Sequence, residues 1–254
     1  MAGDIIIIEP GSYGDQTITA VKTSPGCTVI GDPAGVTLNS ITPNGAWFEI
    51  QKVNVTTSVS FQDVGSGLPN HITLRNVNAG QPSFWDGGDS ISWIGGTIGP
   101  YALLPSTYNG CFNMQGIPNN LTNVTLDGVT LSGCTRSAAR ISAGDHTEVI
   151  RLNDGINGLT IKNSTFNNED VNSACIFAGS AGGRAPEQNI TLENNYFGSG
   201  CNKWVDANLA SASSASCINW LFDYNTSTAT SPGSLNGCTA SGSTMRGNLS
   251  FTSI

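Results

Sequence analysis

The densest group of chemically useful side chains lies between residues 145 and 170. Asp145, His146, Glu148, Arg151 and Asp154 fall in one short run, Lys162 follows, and Glu169 and Asp170 close the stretch. Such a set suits removal of a proton beside a carboxylate. That reaction needs a base, and a positive group or a metal to absorb the developing charge. Hydrolysis of a glycosidic bond needs two carboxyl groups at a set separation instead. Glu148 with Asp170, or Asp86 with Asp89, offers such a pair. Each residue also has a purely structural use. In EVIRLN, His146 and Glu148 share the parity of the inward Ile150 and Leu152, which fits a buried hydrogen-bonded corner. Arg151 faces outward on that phase and would bridge acidic neighbours.

A second group is FWDGGDSISW at 84–93, where Phe84, Trp85 and Trp93 bracket Asp86 and Asp89. Aromatic faces beside carboxylates suit stacking on a sugar ring and recognition of its hydroxyls. Trp204, in CNKWVD, would extend that platform, with His146 as a further binding residue. Trp93 alternates with Ile91 and belongs to the core on the same pattern. Trp85 and Trp204 stand in turn-rich segments and are expected to be exposed. No GxSxG, HExxH or P-loop occurs, so serine-hydrolase, zincin and nucleotide chemistry lack their motifs. The Asp spacing is not that of an EF-hand loop.

The elements that must position these residues are short strands. NGLTIKNSTF at 157–166 and QNITLENNYF at 188–197 are two copies of one phrase, 31 residues apart. Related phrases begin near 71, 91, 123, 158, 189 and 218. Secondary strands lie between them, such as EVIRLN before LTIKN and CIFAG before ITLEN. No apolar period of 3.6 interrupts the series. A repeat of this length predicts coils of about 20–35 residues, each with short strands and corners. The fold expected is all-β, a single-stranded right-handed parallel β-helix forming one domain over residues 1–254. In each strand alternate residues point inward: Leu159 and Ile161 in one copy, Ile190 and Leu192 in the other. Excursions from the coils are expected at 80–88, 100–110, 180–188 and 202–216.

Composition agrees. Charged residues make up 11% and Gly numbers 31, poor for helix and rich for turns. A net charge of −8, with ten scattered Lys and Arg, excludes a nucleic-acid-binding stripe. No stretch is long enough to span a membrane. The opening MAGDIIIIEPGSYGD has no basic region ahead of an apolar core and reads as a first strand, so a native signal peptide is expected to be missing. None of the seven cysteines forms a CxxC pair, and with the turn-rich composition they suggest a secreted, extracellular protein. Cys111–Cys134 and Cys217–Cys238 are plausible bridges, and the odd number leaves a thiol over. Asn-x-Ser/Thr triplets begin at Asn54, Asn120, Asn123, Asn163, Asn189, Asn225 and Asn248. They read better as left-handed corner residues than as glycan acceptors.

GDIIIIEPGSYGD and HTEVIRLNDGINGLTIKNSTF resemble the opening coil and an internal strand pair of secreted bacterial proteins of the pectin-lyase-like superfamily. The resemblance covers nearly the whole chain. It implies a polysaccharide partner, bound or cleaved along a lateral groove, with lyase chemistry slightly ahead of glycoside hydrolysis. On that basis Arg151 or Lys162 would be the base. Glu148, Glu169 and Asp170 would hold calcium, with Glu148 and Asp170 also counted among the catalytic residues. The Asp-Asp pair, Gly-His-Gly and Arg-x-Lys of polygalacturonases are absent. The alternative is a non-catalytic β-helix: an adhesin, surface or phage-fibre module. Convergence of Arg151, Lys162, Glu169 and Asp170 on one groove would favour the enzyme, and their dispersal the scaffold.

Overall fold

The computed structural model describes residues 3–250 apart from 20, 25, 66, 104–109, 117–118, 145–146, 168–173, 180–186, 199, 208–216, 229–230 and 235–243. The chain winds into a parallel β-helix, as the repeat predicts. Every strand pairing recorded is parallel, and each strand pairs with its equivalent one coil away. Among the described residues eleven strands form one sheet, sixteen a second, and Tyr101–Leu103 with Cys134–Arg136 a small third. The first sheet is face 1, which includes Gly88–Ile94, Leu121–Asp127, Ile156–Lys162 and Glu187–Glu193. The second sheet carries two faces. Face 2 is a row of short strands such as Thr130–Ser132, Thr165–Asn167 and Tyr196–Phe197. Face 3 holds Gly110–Gln115, Glu148–Asn153, Ala174–Ala178 and Lys203–Ala207. In the early coils Val36–Pro43, Asn54–Phe61 and Asn78–Phe84 run as single strands along both. Residues 80–84 and 203–207 are therefore strand, not the excursions expected there.

Face 1 shows why the repeat is visible. Ile50, Leu74, Trp93, Leu126, Ile161, Leu192 and Phe222 stand in one column in register. None is more than 2% exposed. Each rung covers the next, and burying one such side chain is worth about 1.5–3 kcal/mol.

The corner from face 1 to face 2 is equally regular. Lys52, Asn76, Gly95, Gly128, Asn163, Asn194, Tyr224 and Gly247 occupy it in successive coils, all with φ between 51° and 65°. A second left-handed column runs within face 1 through Trp47, His71, Ser90, Asn123, Gly158, Asn189 and Asn219. Asn123, Asn163 and Asn189 thus adopt the conformation expected of them. Asn225 and Asn248 do something else. They follow the corner, where their side chains stack under Asn195 and Ser164. The backbone N–H groups of Ser164, Asn195 and Asn225 each donate to the side-chain oxygen one coil on. Val53, Val77 and Val129 fill that column in earlier coils.

Cys111 and Cys134 form the expected disulfide, and Cys175–Cys201 is a second. Cys27 is a buried free thiol. Cys238 lies outside the described residues. The one helix described, Ala138–Ala143, was not anticipated. Ser137 caps it, and Gly144 ends it with φ 69°. No helix among the described residues is long and apolar enough to cross a membrane.

Candidate functional site

In the later coils face 3 follows face 2 along the chain and precedes face 1. Its outward residues form a column in register: Ser83, Asn113, Arg151, Phe177 and Asp206. Successive members are about 4.8 Å apart. Trp85 follows Phe84, which pairs with Met114, so it stands level with Gln115 and Asn153 on the same face. Trp85 and Phe177 are both partly exposed.

Arg151 is held from several sides. Its Nε donates to Asn153 Oδ1 at 2.9 Å, and its Nη1 to Glu148 Oε2 at 3.4 Å. The guanidinium lies 5.3 Å from the centre of the Phe177 ring, a cation–π contact. Its side chain is 16% exposed, while Glu148 is fully buried. Gly110 makes room for it, because a Cβ there would come within 2.7 Å of Arg151 Cβ. The charge pair recurs inverted two coils on, where Lys203 donates to Asp206 Oδ2 at 2.7 Å. Asn113 Nδ2 donates to Gly110 O, and its Oδ1 is buried without a partner among the described residues. Face 3 thus presents a fixed cation and two partly exposed aromatic rings, with the buried Asn113 amide and the ion-paired Asp206 carboxylate in the same column as the cation.

Lys162 is not on that face. It ends a face 1 strand and pairs with Asp127 at 3.4 Å. A corner at Asp154 and Gly155 separates its strand from that of Arg151. Glu148 is buried against Arg151, in line with its inward parity, and is not presented to a metal. Among the described residues no group of three or more His, Cys, Asp or Glu side chains could hold a metal ion. The described carboxylates therefore do not form a calcium site. His146, Glu169 and Asp170 lie outside the described residues.

The aromatic platform divides. Trp93 is core, 2% exposed, as expected. Trp204 is not exposed, contrary to expectation. At 4% exposure it packs against Phe197 and Phe222, because its segment is strand rather than loop. Asp86 accepts the N–H of Asp63 at 3.2 Å at the end of face 3. Asp89 begins a face 1 strand and is bound by Thr122, Ser90 and Asn123. Burial pushes its carboxyl up. Those hydrogen bonds, together with the charge of His71, outweigh burial and hold it below the usual range.

Sequence reasoning passed over Phe177, Lys203, Asp206 and Asn113. Superposing CIFAG and CFNMQ on VIRLN would have placed Asn113 and Phe177 level with Arg151. It also passed over Glu187. This fully buried carboxyl accepts the N–H of Asp154 at 3.1 Å, at the corner between faces 3 and 1. Burial, with the charge of Asp154, pushes it up to about 7. Asp154 Oδ1 and Glu187 Oε2 have no hydrogen-bond partner among the described residues.

No protein-family model matches the chain, and no curated protein sequence does. Among solved structures, the chain is similar to the A-module of the Azotobacter vinelandii mannuronan C-5 epimerase AlgE6. Identity is 14% and the TM-score 0.36, over 99% of this chain and 92% of that one. It is also similar to the catalytic domain of a GH87 α-1,3-glucanase in complex with tetrasaccharides, at 11% identity and a TM-score of 0.38. That match takes in 97% of this chain but only 64% of the glucanase domain. At such scores the function has to be argued from this chain's own residues.

Proposed function

We propose that this is an extracellular protein that acts on a polysaccharide lying along face 3, with eliminative cleavage of an acidic chain ahead of hydrolysis. The observation that carries the reading is the in-register row of Arg151, Phe177 and Asp206, with Trp85 on the same face. A ring between two charged side chains on successive rungs about 4.8 Å apart suits a polymer of repeating units. Arg151 is oriented by Glu148 and Asn153, so its charge is fixed before ligand arrives, and it would neutralise a uronate carboxylate. Held in that ion pair, Arg151 is a positive group rather than a base. The two disulfides fit an extracellular location.

A non-catalytic scaffold is the second reading, favoured by one observation. Lys162, Arg75 and Arg246 are all committed to ion pairs on face 1, away from Arg151. The test is a cleavage and binding assay on acidic and neutral polysaccharides, with calcium and with chelator. Reducing ends and the ultraviolet absorbance of unsaturated uronate are followed together. Both signals are expected with an acidic chain, lost by about a hundredfold or more in Arg151→Ala and retained in Lys162→Ala. Reducing ends without absorbance would make the protein a hydrolase. Neither cleavage nor binding of any polysaccharide would leave the scaffold.

A further inference from the structure

Face 1 carries a groove of its own near the start of the solenoid, with a volume of about 540 Å³. Trp47 and His71 line it with their rings stacked 3.8 Å apart at 14°. Both residues sit in the left-handed column of face 1, with φ of 60° and 50°. Later coils fill that column with Ser90, Asn123, Gly158, Asn189 and Asn219. Asn and Gly tolerate this conformation, whereas a bulky side chain there is a strained choice. The backbone corner needs no aromatic ring, as the later coils demonstrate. Gly26 is also required beside Trp47, since a Cβ would fall 1.7 Å from the Trp47 carbonyl oxygen. Strain kept in place by its surroundings points to use.

The rest of the lining has the chemistry of hydroxyl recognition. Thr28, Glu49, Thr73 and Ser92 form one outward column in register across the groove. The Glu49 carboxylate is oriented by Arg75 at 2.6 Å and by Gln51 at 2.9 Å. On the other side of the rings, Asp89 is bound by Ser90 and Asn123, both lining residues. Oriented carboxylates accept from hydroxyl groups, and an aromatic face takes the apolar side of a sugar ring. Arg75 is already paired with Glu49, so among the described lining residues the groove presents a carboxylate and hydroxyls rather than a cluster of cations for an anionic sugar.

We infer that this groove is a second carbohydrate site, separate from face 3, and that it takes an uncharged sugar. Trp47 and His71 form its platform, and Glu49 with the Thr and Ser hydroxyls reads the ligand. The test uses cellohexaose, xylohexaose and maltohexaose as neutral probes and hexagalacturonate as the acidic one. Binding is followed by calorimetry and tryptophan fluorescence. The variants are Trp47→Asn and His71→Asn, each introducing a residue the same column holds in other coils, so unchanged circular dichroism and melting are the folding control. At least one neutral hexaose should bind the wild type, with little dependence on salt. Trp47→Asn should weaken it by about tenfold or more, and Arg151→Ala should leave it unchanged. The inference is overturned if no neutral probe binds, if folded Trp47→Asn binds like wild type, or if hexagalacturonate binds this groove more tightly. Arg151→Ala alone tests face 3, so either site can fail without the other.

Discussion

Glu187 contributes a pH response of its own to the fold. Its carboxyl titrates near 7 in the native state against 4.5 for an ordinary Glu, raised by burial and by the charge of Asp154. A group with a raised folded pKa binds its proton more tightly folded than unfolded. Below about 4.5 both states carry the proton and nothing is lost. Between about 4.5 and 7 the unfolded chain releases it first, so stability falls as pH rises. Above about 7 the loss is complete, on the order of 3 kcal/mol. Glu187→Gln keeps the shape and removes the titration. Denaturant unfolding at pH 5 and pH 8 should therefore show a smaller drop for Glu187→Gln, which should exceed wild type in stability at pH 8. An unchanged drop would mean that Glu187 does not titrate in this window.

At the scale of elements, the left-handed corner between faces 1 and 2 decides where sequence is interchangeable. Lys52 and Tyr224 hold a position that Asn and Gly hold in other coils. Lys52→Asn and Tyr224→Asn should each raise stability by about 0.5–1 kcal/mol, since a left-handed residue other than Gly or Asn is strained by about 1–2 kcal/mol. Thermal melts would read this as a rise of a few degrees at most, and a fall would contradict it. The strands themselves were legible in the sequence because a period of two is local: Leu159 and Ile161, or Ile190 and Leu192, reveal their face unaided. Which face a strand joins is not local. Arg151 and Lys162 are close in sequence, yet the corner at Asp154 and Gly155 sends them to different faces. Trp204 looked exposed because its buried partners, Phe197 and Phe222, belong to other strands. Glu187 and Asp154 are 33 residues apart and meet only when one coil settles on the next.

At the scale of the molecule, both disulfides do the same job. Cys111 and Cys175 lie in face 3 strands, and each is tied to a segment of the following coil on its way from face 2 to face 3. Cys134 stands in Cys134–Arg136, and Cys201 just before Lys203–Ala207. The bridges close loops of 23 and 26 residues. Each should contribute about 3–4 kcal/mol, chiefly by restricting the unfolded chain. Calorimetry with and without reductant, and on a Cys111→Ala/Cys134→Ala double variant, should show a clear loss of melting temperature. An unchanged melting temperature after verified reduction would refute that contribution. Because the bridges anchor segments entering face 3, the activity proposed for that face should be lost on reduction before binding in the groove on face 1.

The corner that runs from Lys52 to Gly247 does not vary in length, whereas the other two corners absorb all the differences between short and long coils. It is a spine, with interchangeable segments hung from it. A gene duplication whose ends fall at matching spine positions would insert one whole coil and leave every existing register intact. A cut anywhere else would shift strands against their neighbours and expose their apolar columns. Growth and shortening of this protein by recombination are thus steered toward steps of one coil, and each step lengthens or trims every face by about 4.8 Å.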